Sequence, residues 1–278
     1  MGFFDKLFGR NDLTLREPQF AGMLYPAGKA ELRAAIERLL SGAEAGDEAP
    51  RALIVPHAEF DFAGEVMARA WARVAGAEGI ERIVLLGSSR LVPFRGLAVT
   101  GYDGFDTPMG PVVSDREAVE SIARLEQVRA IEPAFDPEES IEAQLPFVRQ
   151  VLKKTMIVPV LVGDATDEEV AEVLSTFVDD PATLIVICAN MSHDVEPEQA
   201  HTLDAQTQAA IETLVPESIS REHSAGRVAI RGLLRVANEA GWKATTLARS
   251  TSADAAVTDA VTGPVTGYGA FAFYSPGG

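Results

Sequence analysis

The chain has 278 residues, with 41 acidic and 24 basic side chains and a formal net charge of −17 at pH 7. That balance excludes a nonspecific nucleic-acid binder and disfavours docking on anionic membranes, since both need clustered Lys and Arg. A composition 47% apolar excludes a disordered chain, and the single cysteine, Cys188, excludes a disulfide framework or a multi-cysteine zinc or iron–sulfur centre.

Residues 1–15 are expected to form an N-terminal stub, in which Phe3, Phe4, Leu7 and Phe8 make one short apolar stripe. The opening is too short in apolar residues for a signal peptide, and no run approaches the ~20 residues that span a bilayer. A cytoplasmic protein is expected. Residues 16–278 then alternate helical patterns with short apolar runs. A period near 3.6 predicts a helix over Ala30–Leu40, followed by strands at Ala52–Pro56, Arg82–Gly87 and Leu97–Gly101. Ser114-x-x-Glu117 and Thr166-x-x-Glu169 read as capping boxes that open helices. Strands are expected at Met156–Val162 and Thr183–Ala189, helices at Gln199–Leu214 and Glu222–Ala240, and strands at Ala244–Ala248 and Gly267–Tyr274. The least regular stretches are Gly42–Pro50 and Thr251–Pro264. Continuously apolar runs such as LIV, IVLL and LIVI suit strands buried on both faces. The alternation predicts one layered α/β domain, with a largely parallel or mixed central sheet flanked by helices.

Ligands of such sheets bind beyond the carboxyl ends of the strands, and that is where the unusual polar residues stand. One strand runs into His57, the next into Ser88, Ser89 and Arg90, another into Asp164, and another into Asn190, Ser192, His193 and Asp194. If the strands are parallel, His57 and His193 meet at one rim. Each residue also has a plain alternative. The histidines could be packing residues, Arg90 a solvated loop cation and Asn190 a turn former. Cys188 lies inside an apolar strand and reads as an inert small hydrophobe. No GxGxxG, Walker A, HExxH or GxSxG motif is present.

Several segments in fixed order carry a resemblance. REPQFAGMLYP begins at Arg16, VPHAEFDFAG carries His57, and VLLGSSR ends on Arg90. FDTPMG follows, then ESIEAQLPF from Glu139, IVPVLVG, ICANMSH with Asn190 and His193, HSAGRVAI with Ala225, and TGYGAFAFY. Together, from Arg16 to Tyr274, they are similar to the Memo family, whose bacterial and archaeal members are called AmmeMemoRadiSam system protein B. The resemblance implies an α/β fold related to the class III extradiol dioxygenases. It also implies a pocket in which two histidines and a cysteine hold copper or iron for redox chemistry.

The departures from that pattern matter most. His57 keeps the first ligand position, but the second is Arg90 and the third is Ala225. A family Asp is Asn190, a family His is Glu139, and His193 is kept. Arginine cannot ligate a cation and repels one, so the family metal site is expected to be disabled, with Arg90 near the metal position and paired to Glu139. No metal or other cofactor is expected. The favoured function is a Memo-like binding protein or pseudoenzyme, in which Ser88, Ser89, Arg90 and Asn190 bind a small polar or anionic ligand or a partner and His57, His193 and Glu139 bind or move protons. One alternative is an iron- or copper-dependent oxidoreductase with His57, His193 and Glu139 as a rearranged triad. Another is a pocket that serves only to bind a protein or peptide partner.

Overall fold

Burial alternates face by face along the central strands. Leu53, Val55, Ile83, Leu85, Leu184 and Val186 face one core, while Ala52, Ile54, Val84, Leu86, Ile185 and Ile187 face a second. Strands apolar on both sides need helices on both sides, and the chain supplies them. The computed structural model describes residues 13–46, 48–255 and 263–276. Its strands are β1 (Leu15–Arg16), β2 (Ala52–Val55), β3 (Arg82–Ser88), β4 (Leu97–Val99), β5 (Gly104–Phe105), β6 (Val112–Val113), β7 (Val128–Ala130), β8 (Met156–Val162), β9 (Thr183–Cys188), β10 (Lys243–Thr251) and β11 (Gly267–Tyr274). Its helices are α1 (Lys29–Ser41), α2 (Phe60–Trp71), α3 (Arg116–Ile122), α4 (Glu139–Glu142), α5 (Leu145–Val151), α6 (Asp167–Ser175), α7 (Pro197–Glu212) and α8 (Arg227–Glu239).

The main sheet has the order β10-β11-β2-β9-β3-β8-β4-β7, and a small sheet β1-β5-β6 stands beside it. Within the main sheet β2, β9, β3 and β8 are parallel neighbours, whereas β11 and β4 join antiparallel. The sheet is therefore mixed. Helices α1, α2 and α5 pack into the first core, and α6, α7 and α8 into the second. Val55 lies opposite Cys188, and Ser88 opposite Val162, so the parallel strands end together. His57, Arg90, Asp164 and Asn190 follow those ends on one edge.

Every strand expected from the sequence is present, with ends moved by a few residues at most. The two-residue strands and β7 were not expected, being too short for a period to register. Helices α2, α4 and α5 were not expected either, although in α2 Asp61, Glu65 and Arg69 recur every fourth residue on the exposed side of an otherwise buried helix. The capping box at Thr166 is present in full. The one expected at Ser114 is not. Ser114 is buried and bridges to Ile157, and Asp115 caps α3 instead, accepting from the Ala118 amide. Residues 1–12 of the expected stub, with its apolar stripe, lie outside the described residues, as do 256–262 of the irregular stretch. Residue 15, assigned to the stub, is already strand, pairing with Gly104.

One buried ion pair ties the chain's start to its middle. Arg16 donates to Glu142 at 2.5 Å with both side chains almost wholly buried. Glu142 also accepts from the Gln19 and Phe20 amides at 3.0 and 2.8 Å and from the Tyr25 hydroxyl at 2.7 Å. The rest of the Arg16 fork is spent on the carbonyls of Phe135, Asp136 and Glu138. Two residues on, Gln144 accepts from the Trp71 indole and donates to the Pro56 carbonyl, each at 2.9 Å. Glu142→Ala leaves a buried arginine unpaired and is expected to cost about 3–5 kcal/mol. Glu139→Ala, on a half-exposed pair, should cost at most about 1 kcal/mol. Urea unfolding of the two variants checks this, and equal losses would contradict it.

Candidate functional site

The parallel strand ends enclose a small cavity lined by His57, Ser88, Arg90, Cys188, Ala189, Asn190, Met191, His193, Ala225 and Gly226. Its volume of about 20 Å3 is room for one water molecule or one small polar group. Two close approaches shape it. A Cβ on Gly87 would stand 2.2 Å from the Ser140 hydroxyl, so glycine there lets α4 lie against β3. A Cβ on Gly226 would stand 2.6 Å from that of Ala189, so glycine there lets the start of α8 reach the end of β9.

Asn190 holds His57 by its backbone. The Asn190 side chain accepts from the His57 amide at 2.8 Å and donates to the His57 carbonyl at 2.9 Å. An aspartate in its place could make only the first of these bonds. The Asn190 carbonyl accepts in turn from the Ser224 hydroxyl at 2.6 Å, which fixes the turn carrying Ala225. Asn190 thus spends these polar atoms on the frame of the pocket that it also lines.

His57 is 7% exposed, and neither ring nitrogen has a hydrogen-bond partner among the described residues. Burial lowers its pKa from 6.5 to about 3, with Arg90 and His193 adding to the effect. It is therefore neutral at pH 7, offering one N–H and one lone pair. Glu139 Oε1 stands 3.9 Å from His57 Nε2 and accepts from the Arg90 guanidinium. Arg90 and Glu139 are 40% and 30% exposed, so the pair sits on the rim of the cavity. His193 lies at the exposed side of the same cavity with Nδ1 3.0 Å from the Thr266 hydroxyl. Cys188 is buried in the first core beside them, and burial pushes its thiol pKa up.

A second, larger cleft adjoins this cavity and shares Ser88, Arg90 and Ala225 with it. Ser89 lines the cleft rather than the His57 cavity, and its hydroxyl donates to the Val92 carbonyl at 2.7 Å. It turns away because its amide continues the β-ladder to Val162. Asp164 also lines the cleft. Arg95 and Arg227 line it too and were not singled out from the sequence. Arg227 opens an amphipathic helix, where an arginine gives no sign of its own.

A mixed sheet with helices on both faces and a histidine-bearing pocket past its parallel strand ends defines an α/β protein with a polar pocket at its strand ends. The chain belongs to the Memo family: the model for Memo-like protein matches residues 16–268. It is 32% identical over 212 residues to a MEMO1 family protein of Aquifex aeolicus, covering 74% of this chain and 78% of that one. It is 30% identical over 226 residues to the memo-1 homolog of Caenorhabditis elegans, covering 74% of this chain but 64% of that one. Human MEMO1 is 28% identical over 66% of this chain, and the match likewise spans 64% of that protein's length. An uncharacterized protein from Escherichia coli K12 shares the fold at 13% identity, with a TM-score of 0.50 over 81% of this chain and all of that one.

The residues present do not suit the metal that the family resemblance implies. Two of the three ligand positions hold Arg90, a fixed cation, and Ala225, which has no donor. The rearranged set of His57, His193 and Glu139 does not repair this. Among the described residues, no group of three or more His, Cys, Asp or Glu side chains could hold a metal ion. Nor is any helix there long and apolar enough to cross a membrane.

The lowered His57 pKa has a stability consequence. Below pH 6.5 the unfolded chain takes up a proton that the folded chain refuses until about pH 3, so stability falls as pH falls through that window. The loss attributable to His57 approaches about 1.4 kcal/mol per pH unit. Urea unfolding of wild type and His57→Gln from neutral to acid pH should show the wild type losing the extra stability. Parallel pH profiles would contradict it.

Proposed function

We propose that this Memo-family chain has exchanged the family's metal site for a metal-free pocket that binds a small polar or anionic ligand. The single observation that carries the reading is the Arg90 guanidinium donating to Glu139 beside His57. On this reading a positive charge takes the place of a bound cation, and the paired carboxylate neutralises it. An unpaired charge there would cost several kcal/mol, and pairing removes most of that. The pair therefore supports a settled replacement rather than a vacated position.

Within such a pocket His57 serves as a hydrogen-bond partner. A general acid or base works best with a pKa near the working pH, and one of about 3 is far below it. His193 is the exposed histidine of the pair and the better placed to exchange protons with solvent. Asn190 keeps the His57 backbone in place, and Ser88 faces both the cavity and the neighbouring cleft. This supports a binding protein or pseudoenzyme over a metal-dependent oxidoreductase. A peptide partner would have to insert a single small group to reach His57.

Elemental analysis of the purified full-length chain tests the reading. Less than about one-tenth equivalent of copper, iron or zinc is expected, since tight sites use a closed shell of three or four ligands. The double variant Arg90→His with Ala225→Cys should gain metal affinity if the pocket keeps its shape. About one metal per wild-type chain, lost in His57→Ala, would overturn the proposal.

A further inference from the structure

We infer that the His57 cavity takes the uncharged carboxamide group of a ligand, with Arg90 donating to its carbonyl and Glu139 accepting from its N–H. The inference rests on the metal-free reading and narrows it, from a polar or anionic ligand to a neutral one that donates and accepts at once.

Four side chains meet at this one cavity or on its rim with polar groups unspent. The Arg90 guanidinium makes a single bond, from Nη2 to Glu139 Oε1, so its Nε and Nη1 have no acceptor among the described residues. Glu139 Oε2 has no donor there. The Ser88 hydroxyl, which faces the cavity, has no partner there either. Arginines and serines at a surface are often left to water, and these three groups alone would carry no ligand. His57 differs. It is 7% exposed, and both of its ring nitrogens lack a hydrogen-bond partner, with Nε2 standing 3.9 Å from Glu139 Oε1. A polar atom so deeply buried costs free energy unless something bonds it.

Charge decides what that something carries. Arg90 and Glu139 neutralise each other beside His57. The other carboxyl close enough to act on Arg90 is Glu138, which is 5% exposed, accepts from the Ser140 amide at 2.9 Å and is pushed toward its neutral form by burial. A carboxylate ligand would be drawn to Arg90 but pressed against Glu139, and an amidinium would suffer the reverse. Like charges brought together at a desolvating site are strongly unfavourable. A carboxamide has one carbonyl for the guanidinium and N–H groups for the carboxylate, with no charge of its own. The 40% and 30% exposure of the pair leaves both partners open to it.

Size and lining place the rest of the ligand. The cavity, at about 20 Å3, admits one polar atom to His57 and no more. Beyond the shared residues Ser88, Arg90 and Ala225 lies the larger cleft, where Val92, Pro93, Phe94 and Val228 provide apolar wall. An apolar body carrying a terminal carboxamide fits that sequence of surfaces.

Calorimetric titration of the full-length, metal-assayed protein tests this with probes of nearly one shape. Benzamide is neutral at pH 7, benzoate anionic and benzamidine cationic, and acetophenone keeps the carbonyl but has no N–H. Saturable millimolar binding of benzamide is expected, about tenfold tighter than each of the other three. Glu139→Gln leaves Arg90 without its counter-charge, so benzoate should gain about tenfold and overtake benzamide. Arg90→Gln should favour benzamidine in the same way. His57→Phe fills the cavity and should weaken benzamide by about tenfold. Thermal midpoints of the variants report whether each fold is intact, and the wild-type probe series decides the matter without them. No saturable benzamide binding, as for a cavity that holds only water, would overturn the inference. So would wild-type binding of benzoate or benzamidine as tight as that of benzamide, or a preference that ignores both charge variants. Stoichiometric metal in the same preparation would instead overturn the metal-free reading, whatever the titration gives.

Discussion

A carboxylate taken out of water must have its lone pairs filled, and Glu142 fills them from a segment 126 to 117 positions earlier in the chain. Arg16, the Gln19 and Phe20 amides and the Tyr25 hydroxyl close around it. The consequence reaches well beyond the pair itself. Helix α4 is a single turn, too short to hold its place by its own hydrogen bonds. Anchored by Glu142 at its end and admitted against β3 by the absence of a side chain at Gly87, it presents Glu139 to Arg90. Gln144, just beyond, ties the same segment to the Pro56 carbonyl, immediately before His57. The buried pair and the pocket are thus parts of one construction, with burial setting the strength of the first and partial exposure leaving the second adjustable.

Within the pocket, Arg90 of the rim ion pair stands at a position where the family resemblance implies a metal ligand. The exchange has a physical logic. On the proposed metal-free reading, the loss of the thiol and one imidazole leaves His57 as the one donor of the family set, too few to hold a transition metal tightly. An arginine alone would add an uncompensated charge over a histidine already stripped of solvent. Glu139 offsets that charge. Asn190 suits the same environment, since its amide can both donate to and accept from the His57 backbone while adding no charge. Burial holds His57 neutral, and neither ring nitrogen has a hydrogen-bond partner among the described residues.

Much of this was legible in the sequence, because strands buried on both faces announce themselves as continuous apolar runs. The polar residues that follow such runs must then collect at one edge if the strands are parallel. That reasoning placed His57, Arg90, Asn190 and His193 together before any contact was known. What it could not supply were matters of direction and of bonding. Ser88 and Ser89 are adjacent, and only the ladder from Ser89 to Val162 decides that Ser88 faces the cavity. Asn190 reads equally as a ligand-binding amide or a turn residue until its two bonds to His57 are seen. Arg227 is one arginine among several at a helix start. The helix cap at Asp115 moved one residue because Ser114 is drawn into a bridge with Ile157, a tertiary contact overriding a local preference.

The central claim is that Arg90 and Glu139 occupy the place of a metal beside His57. The most direct measurement is crystallography of the wild-type chain grown with iron, copper or zinc, with anomalous maps at the edge of each metal. The account predicts the Arg90 guanidinium within ion-pair distance of Glu139 and no anomalous peak within coordinating distance of His57. A peak bonded to His57, with Arg90 swung out of the pocket, would contradict it.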